Sequence, residues 1–240
     1  MKLDFWKLSG WSLALAAACV LTAVPALAAD RSEDDEAAAD TAGLVAIPLE
    51  LPDPSFGGTP LDYYHKNLEP RSLKPREPFL APEGVTNVAK DAPVTSSDES
   101  PNFGKLAFIT DGEKSYNERY IVELDKGPQW VQIDLGKKVE IHAVVLWHYF
   151  EAERVYFDTI VKVADNAEFT ENVQTLVNND FDNSSGYGVG EDKEYIETNE
   201  GRLIDAKGAV AQYVRLSSNG NTSDEYNHYI EVEVYGKPVE

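Results

Sequence analysis

Trp130-Val131-Gln132-Ile133-Asp134-Leu135-Gly136 is the stretch whose reading decides the fold. Apolar Val131, Ile133 and Leu135 alternate with Gln132 and Asp134, the period of a strand with one face buried, and Gly136 ends it. Working outward, Glu140 to Trp147 is a longer and mostly apolar strand. Thr159–Ala164, Val173–Val177, Gln212–Ser217 and Tyr229–Tyr235 are further short runs rich in β-branched and aromatic residues, bounded by Gly, Asn and Asp. No window carries a sustained helical stripe with caps at both ends, and no internal repeat is present. Many short strands with long connections predict an all-β fold of two packed antiparallel sheets, a β-sandwich spanning residues 85–240.

Upstream of that domain the composition changes twice. Between Ile47 and Pro82, prolines at 48, 52, 54, 60, 70, 75, 78 and 82 exclude regular helix and interior strand, so residues 47–84 read as an extended Pro-rich leader. Phe56, Tyr63, Tyr64, Phe79 and Leu80 are large apolar groups that a free linker does not need. A leader lying partly on the sandwich and a loose tether both remain open. Residues 30–46, Arg-Ser-Glu-Asp-Asp-Glu and an alanine-rich acidic stretch, have almost nothing to bury and read as a disordered spacer. Residues 1–29 carry Lys2 and Lys7, an apolar run from Leu13 to Leu27, and Ala26-Leu27-Ala28 as a cleavage site, the pattern of an export signal. The chain is therefore expected outside the cytoplasm, periplasmic or extracellular, with no membrane insertion after cleavage. Cys19, the only cysteine, falls inside that segment, so the mature chain has no disulfide. The alternative is a lipoprotein anchored at Cys19, although no leucine stands three residues before it.

Acidic residues outnumber basic ones 42 to 21, a formal charge of -21, with no Lys/Arg cluster after the N-terminus; nucleic acid and anionic lipid are excluded as partners. Four histidines, no cysteine after residue 19 and no Gly-x-Ser-x-Gly, phosphate loop or His-x-x-x-His motif leave little for catalysis, so the chain is not expected to be an enzyme.

Four segments resemble, in order and spacing, the discoidin or coagulation factor type C domain of the galactose-binding-like superfamily. They are Asn87 to Ser97, Ile109-Thr110-Asp111-Gly112, Trp130 to Gly136, and Tyr213-Val214-Arg215-Leu216 with the closing Ile230 to Gly236. The resemblance implies a jelly-roll sandwich that binds rather than catalyses, with carbohydrate the common ligand of bacterial members. It also implies a structural calcium ion between the Asp-Gly loop and the last strand, with Asp111, Ser115 and Glu231 as oxygen donors. The usual Thr and Trp after the Asp-Gly turn are replaced here by Glu113-Lys114-Ser115-Tyr116. A second acidic loop, Asn178 to Gly186, has closely spaced oxygens, and a turn rich in Asn and Asp accounts for it equally well.

Sugar recognition needs an aromatic face against ring C–H groups and fixed hydrogen-bonding side chains. Trp147 to Tyr156 leaves a core strand and abruptly presents rings and both charges, and Asn219 to His228 leads into the last strand. In the related carbohydrate binders loops at these places help build the pocket. That implies His148 and Arg154 as donors, Asn227 as an amide contact, and Tyr149 or Phe150 as stacking platform. The same side chains form, on the alternative reading, an internal polar network that holds the loops. The expected partner is a carbohydrate or envelope polysaccharide; a protein partner, with the chain as an envelope scaffold or adhesion domain, is the alternative.

Overall fold

The computed structural model describes residues 43–55, 62–72 and 74–239. The expected export signal, Cys19, Phe56 and the spacer up to residue 42 lie outside these. The described part has eleven strands and two short 3-10 turns. Among the described residues no helix is long and apolar enough to cross a membrane.

Two long strands organise the molecule: β6 (Gln129–Trp147) and β9 (Arg202–Ser218) pair antiparallel along nearly their whole length. The ladder slips between Asp134 and Val139 and again between Ile141 and Ala143, and such bulges bend the ribbon. Before the first slip, Val131–Ile133 pair on the other side with β4 (Val94–Ser96), and the end of β9 pairs with β7 (Ile160–Ala164), itself paired with β8 (Gln174–Asn178). After it, Val139–Trp147 pair with β11 (Glu231–Pro238), which carries β3 (Thr86–Asn87) at its edge. The bent ribbon thus belongs to both layers. Val131, Ile133, Val163, Val214 and Leu216 from one layer meet Val144, Leu146, Ile204, Val232 and Val234 from the other in one core. β5 (Val122–Leu124) and β10 (Asn227–Tyr229) form a separate pair that adds Val122, Leu124 and Tyr229 to it. The all-β sandwich expected from the alternation is what forms.

The uninterrupted apolar character of Glu140–Trp147 has a second cause. Val144 and Leu146 face the sandwich core, whereas Ala143, Val145 and Trp147 point to the opposite face and join a second apolar cluster with Ile230 and Tyr235. Ile47 and Ala81 from the leader, with Val85 at the start of the sandwich domain, complete that cluster, and Leu49 and Phe79 pack against it. A strand buried on both faces loses its polar alternation. Leu44–Ala46 (β1) and Leu80–Pro82 (β2) pair antiparallel over this face, so a strand begins inside the stretch read as spacer and the leader is part of the folded unit from Gly43 onward. The expected run Tyr229–Tyr235 is split at Ile230: Tyr229 pairs with Val122 of β5, and Glu231 with Trp147 of β6.

Candidate functional site

The two loops expected to carry the ligand surface do converge. Thr222 N–H donates to the Val155 carbonyl (3.0 Å), the Thr222 hydroxyl accepts from Val155 N–H (3.2 Å), and Phe157 N–H donates to the Gly220 carbonyl (3.1 Å). Backbone locked this way cannot drift, so side chains on it hold fixed directions.

What those side chains do differs from the expectation at three positions. Asn227 is wholly buried and its amide is fully used: Nδ2 donates to the carbonyls of Asp125 (2.8 Å) and Gly127 (2.9 Å), and Oδ1 accepts from the Ser218 hydroxyl (2.8 Å) and Gly220 N–H (2.9 Å). An amide has two donors and two lone pairs, so nothing is left for a ligand. Phe150 is buried edge-on to Tyr116 at 5.7 Å, and the leader's Ser55 hydroxyl donates to its carbonyl (2.7 Å), which removes it as an open stacking platform. His148 is buried too. Its Nδ1 lies 2.6 Å from Glu197 Oε1, and its ring stacks on Tyr156 at 4.1 Å.

That stack begins a buried chain of polar groups. The Tyr156 hydroxyl is 3.0 Å from His228 Nδ1, and His228 Nε2 is 3.2 Å from Glu123. Burial holds the Tyr156 phenol well above its ordinary pKa and pushes the His228 imidazole below its own. The internal network, the alternative to the ligand reading, is therefore what His148 and Asn227 build. Glu197, Tyr156, His228 and Glu123 were not legible as its members, because each pairs across tens of residues with no local sequence signal.

Arg154 remains at the loop end, on Tyr149, which is itself buried and so backs the arginine instead of offering an open stacking face. The guanidinium lies over the Tyr149 ring, 4.6 Å from its centroid, and Nη1 is 3.3 Å from Asp224 Oδ2. Asp224 is fixed in turn by Asn221 Nδ2 (2.8 Å) and Tyr226 N–H (3.0 Å). Arg154 Nε is shielded from solvent and has no hydrogen-bond partner among the described residues.

The expected metal ligands come together in part. Gly112 N–H donates to Glu231 Oε2 (3.0 Å), which brings the Asp-Gly turn onto the start of β11, while Glu231 Oε1 is buried with no partner among the described residues. Burial pushes the Glu231 carboxyl up to about 9; Glu233 and Asp111 add to this, and Gly112 N–H and Lys114 oppose it. Glu231 thus keeps one buried oxygen unused, as a cation ligand would, whereas Asp111 Oδ1 already accepts from Glu113 N–H (2.9 Å). Ser115 does not join them. Its N–H is capped by the Glu113 carboxylate (2.9 Å), its hydroxyl accepts from Asn117 N–H (3.2 Å), and it lines a cleft of about 710 Å³ shared with leader residues Glu50 to Asp53. At the second acidic loop Asp180 and Asp182, joined by Asp158 from the segment before β7, bring carboxylate oxygens within 4.8 Å of one another. Asp180 accepts the Ser184 (3.0 Å) and Ser185 (3.1 Å) N–H groups as such a turn does, while Asp158 accepts the Ser184 hydroxyl (2.7 Å) across 26 residues of chain.

Neither a family model nor a curated protein matches the chain. Solved structures do. CpGH89CBM32-4 from Clostridium perfringens, in complex with GlcNAc-alpha-1,4-galactose, is 20% identical, with 65% of this chain and 96% of that one covered and a TM-score of 0.46. Chitosan-binding module 1, derived from a chitosanase/glucanase of Paenibacillus sp. IK-5, is 19% identical over 62% of this chain and 98% of that one, at a TM-score of 0.38. The whole family 89 glycoside hydrolase from Clostridium perfringens is 16% identical at a TM-score of 0.47, with 64% of this chain and only 15% of that one covered. These structures are what the chain is similar to; at such scores and identities the likeness carries no argument about family, ligand or activity.

Proposed function

We propose that the chain is an exported, non-catalytic carbohydrate-binding module whose ligand surface is built around Arg154. The observation that carries this is the arrangement of Arg154, Tyr149 and Asp224 on two mutually hydrogen-bonded loops. A guanidinium on an aromatic face, beside a fixed carboxylate, offers sugar hydroxyls directional donors and an acceptor. The buried, unpartnered Arg154 Nε leaves a donor for a ligand oxygen or a water. His148, Glu197 and Asn227 then act beneath the surface, holding it in place.

Calcium is the cofactor of this reading, held by Asp111 and Glu231 and structural in role. It would join the Asp-Gly turn to β11 in a sandwich whose described part contains no cysteine.

A glycan array probed with the purified protein in calcium-containing buffer tests the reading. Binding of at least one glycan class is expected, weakened about tenfold or more by Arg154→Ala, the scale of a lost charge-assisted hydrogen bond. Absence of binding to every glycan, with an envelope protein co-purifying instead, would replace it by the scaffold alternative.

A further inference from the structure

Glu194 forms a parallel bridge with Leu68 of the leader, and the loop that follows it encloses, with the leader, a second cleft of about 570 Å³ lined by residues 69–72, 74–76 and 195–203. In a chain where acidic residues outnumber basic ones two to one, this cleft reverses the balance: Arg71, Lys74, Arg76 and Arg202 line it. Its carboxylates are largely committed elsewhere. Glu197 is buried against His148, and Glu69 accepts from Arg202 Nη1 at 2.9 Å. Arg71 is paired with Glu153 on the neighbouring loop.

Two cations are left without an ion pair. Arg76 donates from Nη1 to the Gly201 carbonyl (2.8 Å) and from Nη2 to the Glu200 carbonyl (2.9 Å), while the Glu200 carboxylate accepts from its backbone N–H (3.1 Å). Lys74 is exposed and its ammonium meets no carboxylate among the described residues. Burial lowers the Arg76 pKa, Glu200 opposes the shift, and nearby Arg202 lowers it further. Arg76 and Arg202, like charges near enough to act on one another, gain from a shared anion. Pro70 and Pro75 add exposed ring surface to the same lining, whereas Tyr195 is buried beneath Arg202, whose guanidinium lies 4.6 Å from its ring centroid.

From this juxtaposition we infer that the cleft binds the anionic groups of an acidic polysaccharide, a uronate carboxylate or a sulfate ester, with Lys74 and Arg76 as charge partners. The inference rests on the carbohydrate reading and names its ligand class; the site itself is separate from Arg154. Cations beside proline rings, with only the first two residues of a strand, Arg202 and Leu203, in the lining, suit a sugar chain better than an acidic peptide, whose backbone needs N–H and C=O partners along an open strand edge.

Isothermal titration of the whole protein at low ionic strength tests it, with an oligouronate, a sulfated glycan, a neutral glycan and a polyglutamate peptide as probes. The oligouronate or the sulfated glycan is expected to bind, and the stronger of the two identifies the anion. Affinity should fall steeply with added salt, and Lys74→Glu should weaken it roughly tenfold. Because Lys74 is exposed and unpaired, that variant keeps its melting temperature; Arg76→Lys, which keeps the charge but loses the two-pronged contact, should show a smaller loss. If acidic glycans bind no better than neutral ones, or bind unaffected by Lys74→Glu, the cleft assignment is overturned while Arg154-dependent binding of a neutral glycan leaves the carbohydrate reading standing. Polyglutamate binding that Lys74→Glu abolishes, with no glycan bound at all, overturns both.

Discussion

Gly201 shows how closely one residue is specified. It sits at φ +63 after the Thr198–Asn199 turn, and a Cβ there would lie 2.7 Å from the Trp147 ring and 2.9 Å from the Leu146 carbonyl. Trp147 cannot yield, because its Nε1 donates to the Asn199 carbonyl (2.9 Å) and its ring is wholly buried. Gly201→Ala should therefore destabilise by about 2 kcal/mol, combining left-handed strain with overpacking, and urea denaturation reads it directly. His228 is one residue through which acid acts. Burial, the largest cause, depresses its pKa below 6.5, with Arg154 acting the same way and Asp224 and Glu123 opposing. A histidine with a depressed folded pKa binds fewer protons folded than unfolded, so its contribution to stability is full above about pH 6.5 and declines as pH falls toward the folded value. Glu231, raised to about 9, contributes with the opposite sign over the same range, so the histidine's part is read as the difference between the unaltered protein and His228→Gln in denaturation series from about pH 7.5 to pH 5, a difference that should shrink as pH falls. That Glu140–Trp147 is a mostly apolar strand was readable from residue type, but the partners of His148 and the Asp125 and Gly127 carbonyls on Asn227 were not, since those bonds join residues far apart in the chain.

At the scale of elements, the leader is the part whose role the sequence left open. Its prolines spoke for extended chain, which is what forms, and its aromatic and aliphatic residues spoke for a surface to lie on. That surface is the outer face of β6 and β11, where the leader's Ile47 and Ala81, with Val85, close over Val145, Trp147 and Tyr235. A chain beginning after residue 84 is expected to lose at least about 3 kcal/mol, the burial of two aliphatic side chains. It should also bind a hydrophobic dye, because the face left bare is aromatic; an unchanged melting curve would mean the leader packs without holding. β6 was visible as two shorter pieces, and β9 only as Gln212–Ser217. Their continuity across Gly136 and across Lys207-Gly208 was not, because a bulge places turn-type residues inside a strand.

For the whole molecule, the calcium reading predicts a stability that depends on the ion. Chelation should lower the melting temperature, and calcium at a hundredfold excess over its Kd should restore about 2.7 kcal/mol. Asp111→Ala and Glu231→Gln should each abolish the response, whereas Ser115→Ala should leave it unchanged because its hydroxyl faces another cleft; a calcium-insensitive melt of the unaltered protein would end the proposal. What the sequence by itself determined was the all-β sandwich and the absence of catalytic motifs. Period-two alternation, turn residues and residue inventory are local properties, and each is written in adjacent positions. Only the tertiary structure decided which loop residues sink into an internal network, that the leader forms walls of two clefts, and that cations gather in one of them. Those outcomes depend on which distant segments meet, and burial, which decides whether a polar group serves a ligand or the fold, exists only once they have met.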